Sequence, residues 1–132
     1  MKKTLFILSF ACCLMAVQAQ NANLKKSVED GIKTSIQQTE NREWKEAFAT
    51  CRALDSMIAI EEQKSKKATP ELHYLVSKER LRMYMRLNNA EQSKLQIEKL
   101  EDFAERAKQD EVSEDLLMTK AGYYQKFGMN DK

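Results

Sequence analysis

The 132-residue chain predicts an all-α fold of about five helices paired as antiparallel hairpins. Three observations predict it. Beyond residue 20, apolar residues recur at i, i+3, i+4 and i+7, while β-branched residues are sparse and never alternate. The strong helix formers Ala, Leu, Glu, Lys, Gln, Arg and Met dominate throughout. Turn material is scarce, with one Pro and three Gly in the whole chain, too little for a many-stranded sheet.

The first segment stands outside that fold. Met1-Lys2-Lys3-Thr4 is a cationic start, and residues 5–17 are apolar except for Ser9. Thirteen residues of helix span about 20 Å, short of the roughly 30 Å hydrocarbon layer. A transmembrane anchor is therefore disfavoured, and no stop-transfer charges follow directly. Val17-Gln18-Ala19 sets small residues where signal peptidase reads, so residues 1–19 read as a secretory signal peptide cut between Ala19 and Gln20. A lipid anchor on Cys12 or Cys13 would need an aliphatic residue three places upstream, where Ser9 and Phe10 stand. Export is expected, to a bacterial periplasm first and to the medium second.

Residues 20–132 form the helical domain. Removing Lys2 and Lys3 leaves 20 basic and 20 acidic side chains, so this domain is neutral. A neutral chain has no overall attraction for nucleic acid or an anionic membrane. Cys51 is its one thiol, which excludes an internal disulfide and leaves packing to hold the fold.

Each helix is read from its stripe. Leu24, Val28, Ile32 and Ile36 line the first, which breaks at residues 40–42. Trp44, Ala47, Phe48, Cys51, Leu54 and Ile58 line the second, widened by Met57 and Ile60, with Asn41 as its cap. The basic run 64–67 closes it, complementing the negative dipole end. Thr69-Pro70 opens the third as a cap with Pro at the first helical position. Leu72, Leu75, Val76, Leu81, Tyr84 and Leu87 then follow. Asn89 and Gln92 resemble a capping box before the fourth, lined by Leu95, Ile97, Leu100, Phe103, Ala104 and Ala107. After a break at 109–111 come Val112, Leu116, Leu117, Ala121, Tyr124 and Phe127, ended by Gly128 as a left-handed cap.

Short connections force neighbouring helices antiparallel, and the hairpins are weakly self-similar. Tyr84-x-x-x-Asn88 and Tyr124-x-x-x-Gly128 both put an aromatic residue one turn before a break. Ala47 and Ser93 both put a small residue near a helix start, where a partner helix can approach closely. On these residues, together with Leu117, Ala121, Tyr124 and Gly128, the chain resembles the tetratricopeptide repeat family. The resemblance implies a short solenoid of stacked hairpins whose first helices line a concave groove that holds a polypeptide. It also implies that groove-facing Tyr and Arg contact the partner, and the candidates are Tyr74, Arg80, Arg82, Met83, Arg86 and Tyr123. For the tyrosines the alternative is packing at helix contacts with the hydroxyl wet.

Catalytic spacing is missing. There is no Gly-x-Ser-x-Gly, Walker loop, His-Glu-x-x-His or Gly-x-Gly-x-x-Gly. Cys51 and His73 are the one nucleophile–base pairing available, but Cys51 sits in an apolar stripe as a small hydrophobe. Met83 and Met85 diverge by about 200° around a helix and cannot chelate one copper ion. The acid pairs 61–62, 110–111 and 114–115 point apart and read as solubility and capping features. No cofactor and no metal are expected. The reading is an exported, non-enzymatic scaffold for a protein or peptide. The alternatives are the sensory segment of a longer membrane signalling protein and, more weakly, a Cys51–His73 hydrolase. The fifth helix is apolar on more than one side through Met118, Tyr123 and Met129, from which two expectations follow: residues 20–132 are the N-terminal part of a longer array, or the last helix docks onto another subunit in self-association.

Overall fold

The computed structural model describes residues 22–128. The expected signal segment, its Ala19–Gln20 junction, Cys12, Cys13 and Met129 lie outside the described residues. Among the described residues five helices form: α1 (22–40), α2 (Trp44–Ser65), α3 (Pro70–Arg86), α4 (Ala90–Ala107) and α5 (Asp110–Phe127). Among the described residues there is no strand, and no helix is long and apolar enough to cross a membrane.

The turns are made differently from the expectation. Gly128 does end α5 with φ +69°, but the four interhelical turns bend at Arg42, Lys66, Asn88 and Lys108, all non-glycine residues with φ between 53° and 61°. Asn89 caps α4, its side chain accepting from the Gln92 backbone N–H at 3.1 Å. Asn41 does not cap α2; it belongs to the end of α1, its N–H donating to the Gln37 carbonyl at 3.1 Å, and the cap position falls to Glu43. Thr69 occupies the cap of α3 without a side-chain cap bond, because its hydroxyl donates to Glu62 Oε2 instead.

The core divides at α3. Leu24 and Val28 of α1, Ala47, Cys51, Leu54 and Ile58 of α2, and Leu72, Val76 and Met83 of α3 make one cluster. Tyr74 and Leu81 of α3, Ile97, Leu100 and Ala104 of α4, and Tyr123 of α5 make the other. Residues 72, 76, 79 and 83 step along one side of α3, and 74, 77 and 81 step along the opposite side, so α3 is buried on both. A single-stripe reading of α3 misses this, since a helix between two hairpins has two faces to cover. That is why Tyr74 (2% exposed) and Met83 (0%) lie inside and Leu87 lies outside.

Close approaches use small residues. Ala47 and Ser93 are fully buried near their helix starts, as their spacing predicts. Gly31 brings α1 onto α2, because a Cβ there would stand 2.5 Å from Leu54 Cδ2. On α5 the buried side runs through Val112, Leu116, Tyr123 and Phe127. Leu117 and Ala121, expected inside, are exposed, because the packed face is turned about 100° from the one the repeat pattern implies. Leu95 and Ile60 are likewise exposed.

Candidate functional site

Three alternate helices line one concave face, each with a row of side chains at helical spacing. The rows are Lys25, Glu29, Ile32 and Ile36 on α1; Glu71, Leu75, Lys78, Arg82 and Met85 on α3; and Glu111, Asp115, Met118 and Gly122 on α5. Steps of three and four keep each row on one side of its helix. They bound two adjoining cavities, of about 290 Å³ and about 450 Å³, which share Leu75 and Lys78. The smaller is the polar end, with Lys25, Glu29, Glu71 and Glu111. The larger is apolar, with Ile32, Ile36, Leu75, Leu81, Met85 and Met118. Neither α2 nor α4 contributes to this lining.

Two polar networks fix the walls. Arg82 donates Nε to Glu79 Oε1 at 2.5 Å and its terminal nitrogen to Glu79 Oε2 and Thr39 Oγ1, both at 2.9 Å. The fork-like pair with Glu79 lies within α3 and fixes the guanidinium, and the bond to Thr39 then pins the C-terminal end of α1 to α3. The Glu79 hydrogen bond is the largest influence raising the Arg82 pKa, which secures its charge. Across the groove, Asp115 accepts from the Tyr74 hydroxyl at 2.6 Å, Lys78 Nζ at 2.7 Å and Thr119 Oγ1 at 3.4 Å. Burial pushes the Asp115 carboxyl up, but the bonds from Lys78 and Tyr74 and the Lys78 charge outweigh it and hold the group below its usual value. Tyr74 is shifted the other way, upward, by burial and by its carboxylate partner.

The residues expected to touch a partner separate accordingly. Arg82 lines the groove, and Tyr74, a core ring, also borders its polar end with its hydroxyl on Asp115. Met83 and Tyr123 are buried core side chains, and Met83 at 0% exposure has no surface to offer. Tyr123 packs its ring 5.3 Å from both Tyr124 and Phe127. Arg80 turns away to pair with Asp55 on α2, and Arg86 lies 5.6 Å over the Trp44 ring. The apolar lining of the larger cavity comes instead from Ile32, Ile36, Leu75, Met85 and Met118. The signal was present in α1: positions four apart drift by about 40° per step, so a run from Leu24 to Ile36 swings round the helix. Its first half faces the core and its second half the groove.

The chemistry of the remaining candidates is structural. Cys51 is fully buried, and burial pushes its thiol up to about 11 despite the nearby Arg80 charge. His73 instead meets Glu62, Nε2 to Oε1 at 2.8 Å, and stacks on Phe103 with centroids 5.3 Å apart. Glu62 lies eleven residues along α2 from Cys51, about 16 Å of helix, so the thiol and the imidazole are not brought together. Glu62 also accepts from the Thr69 N–H at 2.6 Å and hydroxyl at 3.0 Å, tying the α2–α3 turn. Burial raises its carboxyl, but the Thr69 and His73 bonds prevail and lower it. Glu62 and Asp115 are thus individually anchored, where acid spacing alone gave them only a solubility or capping role. Among the described residues no group of three His, Cys, Asp or Glu could hold a metal.

No protein-family model matches the chain, and neither a curated protein nor a solved structure matches it.

Proposed function

We propose that the chain is an exported, non-catalytic helical protein of the tetratricopeptide kind that holds another polypeptide in the groove of α1, α3 and α5. One observation carries this reading: the groove runs along alternate helices only, with an apolar end and a polar end, and its walls are tied by Arg82–Thr39 between α3 and α1 and by Lys78–Asp115 between α3 and α5. A groove of about 450 Å³ lined by Ile, Leu and Met suits two or three large apolar side chains on one face of a helix. Met85 and Met118 adapt to their shape, and the charges of the polar end set the register. Walls already tied before binding keep the ordering cost low. The cationic start and apolar run of residues 1–17 support export, and the protonated, buried Cys51 supports a non-catalytic role.

The experiment is selection of peptides from a random displayed library, followed by binding to variants whose helicity is verified by circular dichroism. Ile36→Glu and Met85→Glu are each expected to weaken selected peptides by about tenfold or more. Arg52→Glu on α2, outside the groove, is expected to leave affinity unchanged. Peptides that bind both groove variants as tightly as the parent protein would contradict the reading.

A further inference from the structure

The side of α5 that carries Leu117, Met118, Ala121 and Gly122, at the edge of the groove, is apolar, exposed and self-complementary, and we infer that it pairs antiparallel with α5 of a second copy. Leu117 and Met118 are 69% and 77% exposed, the most exposed of the large apolar side chains that the structure leaves on its surface among the described residues. One turn further along stand Ala121 and Gly122, and a Cβ built on Gly122 meets nothing within 4 Å. Two copies related by a twofold axis between positions 119 and 120 set Leu117 of each against the hollow at Gly122 of the other. The same axis sets Met118 against Ala121. Bulk meets hollow twice, which is the reciprocal relation an isologous interface needs.

Charge selects the orientation. Asp110, Glu111, Glu114 and Asp115 put four acids and no base in the first third of α5, whereas residues 116–127 hold Lys120 and Lys126 and no acid. Antiparallel pairing brings the acidic end of each copy to the Lys126 end of the other and opposes the helix dipoles; parallel pairing would stack acid on acid. The inference does not depend on the groove having a ligand. Because Met118 and Gly122 also edge the groove, pairing would join the concave faces of two copies across the axis.

The interface is a single helix pair, smaller than a standard one, so the affinity is expected in the range of about 10–100 µM. Sedimentation velocity on the purified protein over that range is expected to show a reversible monomer–dimer equilibrium. The double variant Leu117→Ser, Met118→Ser and, separately, Gly122→Leu are expected to raise the dissociation constant about tenfold or more with the dichroism spectrum unchanged. Glu114→Lys should weaken the dimer and added Lys126→Glu restore it in part, a rescue that only the antiparallel arrangement gives. A strictly monomeric protein across the range, or a dimer indifferent to the serine and leucine variants, overturns the inference.

Discussion

Among the described residues Glu79 is the one charged side chain that lies buried, and Arg82 is what makes its burial tolerable. Glu79 is 4% exposed, and its two oxygens are held by one guanidinium. Arg82→Ala leaves that carboxylate without its partner and is expected to cost about 2–3 kcal/mol, below the usual figure for a buried pair because Arg82 is itself a third exposed. The double variant Arg82→Met, Glu79→Met is expected to lose less than Arg82→Ala alone, since no charge is stranded. Urea denaturation of the three proteins checks the order. Cys51 gives a second prediction: a thiol reagent at neutral pH is expected to label the native protein only as fast as it unfolds, and at once in denaturant. Rapid labelling of the folded protein would contradict the burial. Glu62 and Asp115 set the acid limit. Both carboxyls are lowered in the folded chain, so their contribution is present above the ordinary carboxylate pKa and is lost as pH falls through their folded values. Glu62→Gln and Asp115→Asn are therefore expected to lower stability near pH 6, with the loss shrinking as pH falls through the lowered carboxyl values. Denaturant midpoints along a falling pH series decide it.

At the scale of the element, the turns and the close contacts carry the testable cost. Lys66 and Lys108 hold left-handed backbone with φ +55° and +53°, which strains any residue with a Cβ. Lys66→Gly and Lys108→Gly are each expected to stabilise by about 0.5–1 kcal/mol, the relief exceeding the extra freedom of the unfolded glycine. Asn88→Gly should gain less, as Asn tolerates this region. Gly31 and Gly122 behave oppositely although both are mid-helix. Gly31→Ala drives a methyl into buried Leu54 and is expected to cost about 1–2 kcal/mol, whereas Gly122→Ala, free of contacts, is expected to gain up to about 1 kcal/mol in the monomer. Helix number and position were legible because the stripes are long and the breaks few. The turn chemistry was not, since nothing in a lysine announces positive φ. Helix α3 shows the other limit: spacing finds apolar positions, but only the stacking of neighbours says that two opposite sides are covered. Helix α5 shows a third, because Leu117 and Tyr123 both offer apolar bulk in sequence and only the packed neighbour chooses which turns inward.

For the whole molecule, alternation organises the surface. Helices α1, α3 and α5 present one concave face while α2 and α4 stay away from it, so an assembly of five helices yields a groove without any dedicated loop. A groove on the first helices was expected from the tetratricopeptide resemblance alone, and the composition of the face that α1, α3 and α5 share was not legible. Aromatic and arginine side chains drew attention as contact residues, yet Met83 and Tyr123 serve the core, Tyr74 serves both the core and the polar end, and the larger cavity is floored by aliphatic and thioether groups that resemble core residues in sequence. An inward-facing Ile and a groove-facing Ile differ only in which neighbour is missing, and that is a property of the assembled chain. The most direct test is to titrate a library-selected peptide into the isotope-labelled protein and follow its amide shifts. Changes concentrated at residues 29–36, 75–85 and 115–122 are predicted; changes confined to the outer sides of α2 and α4 would contradict the account.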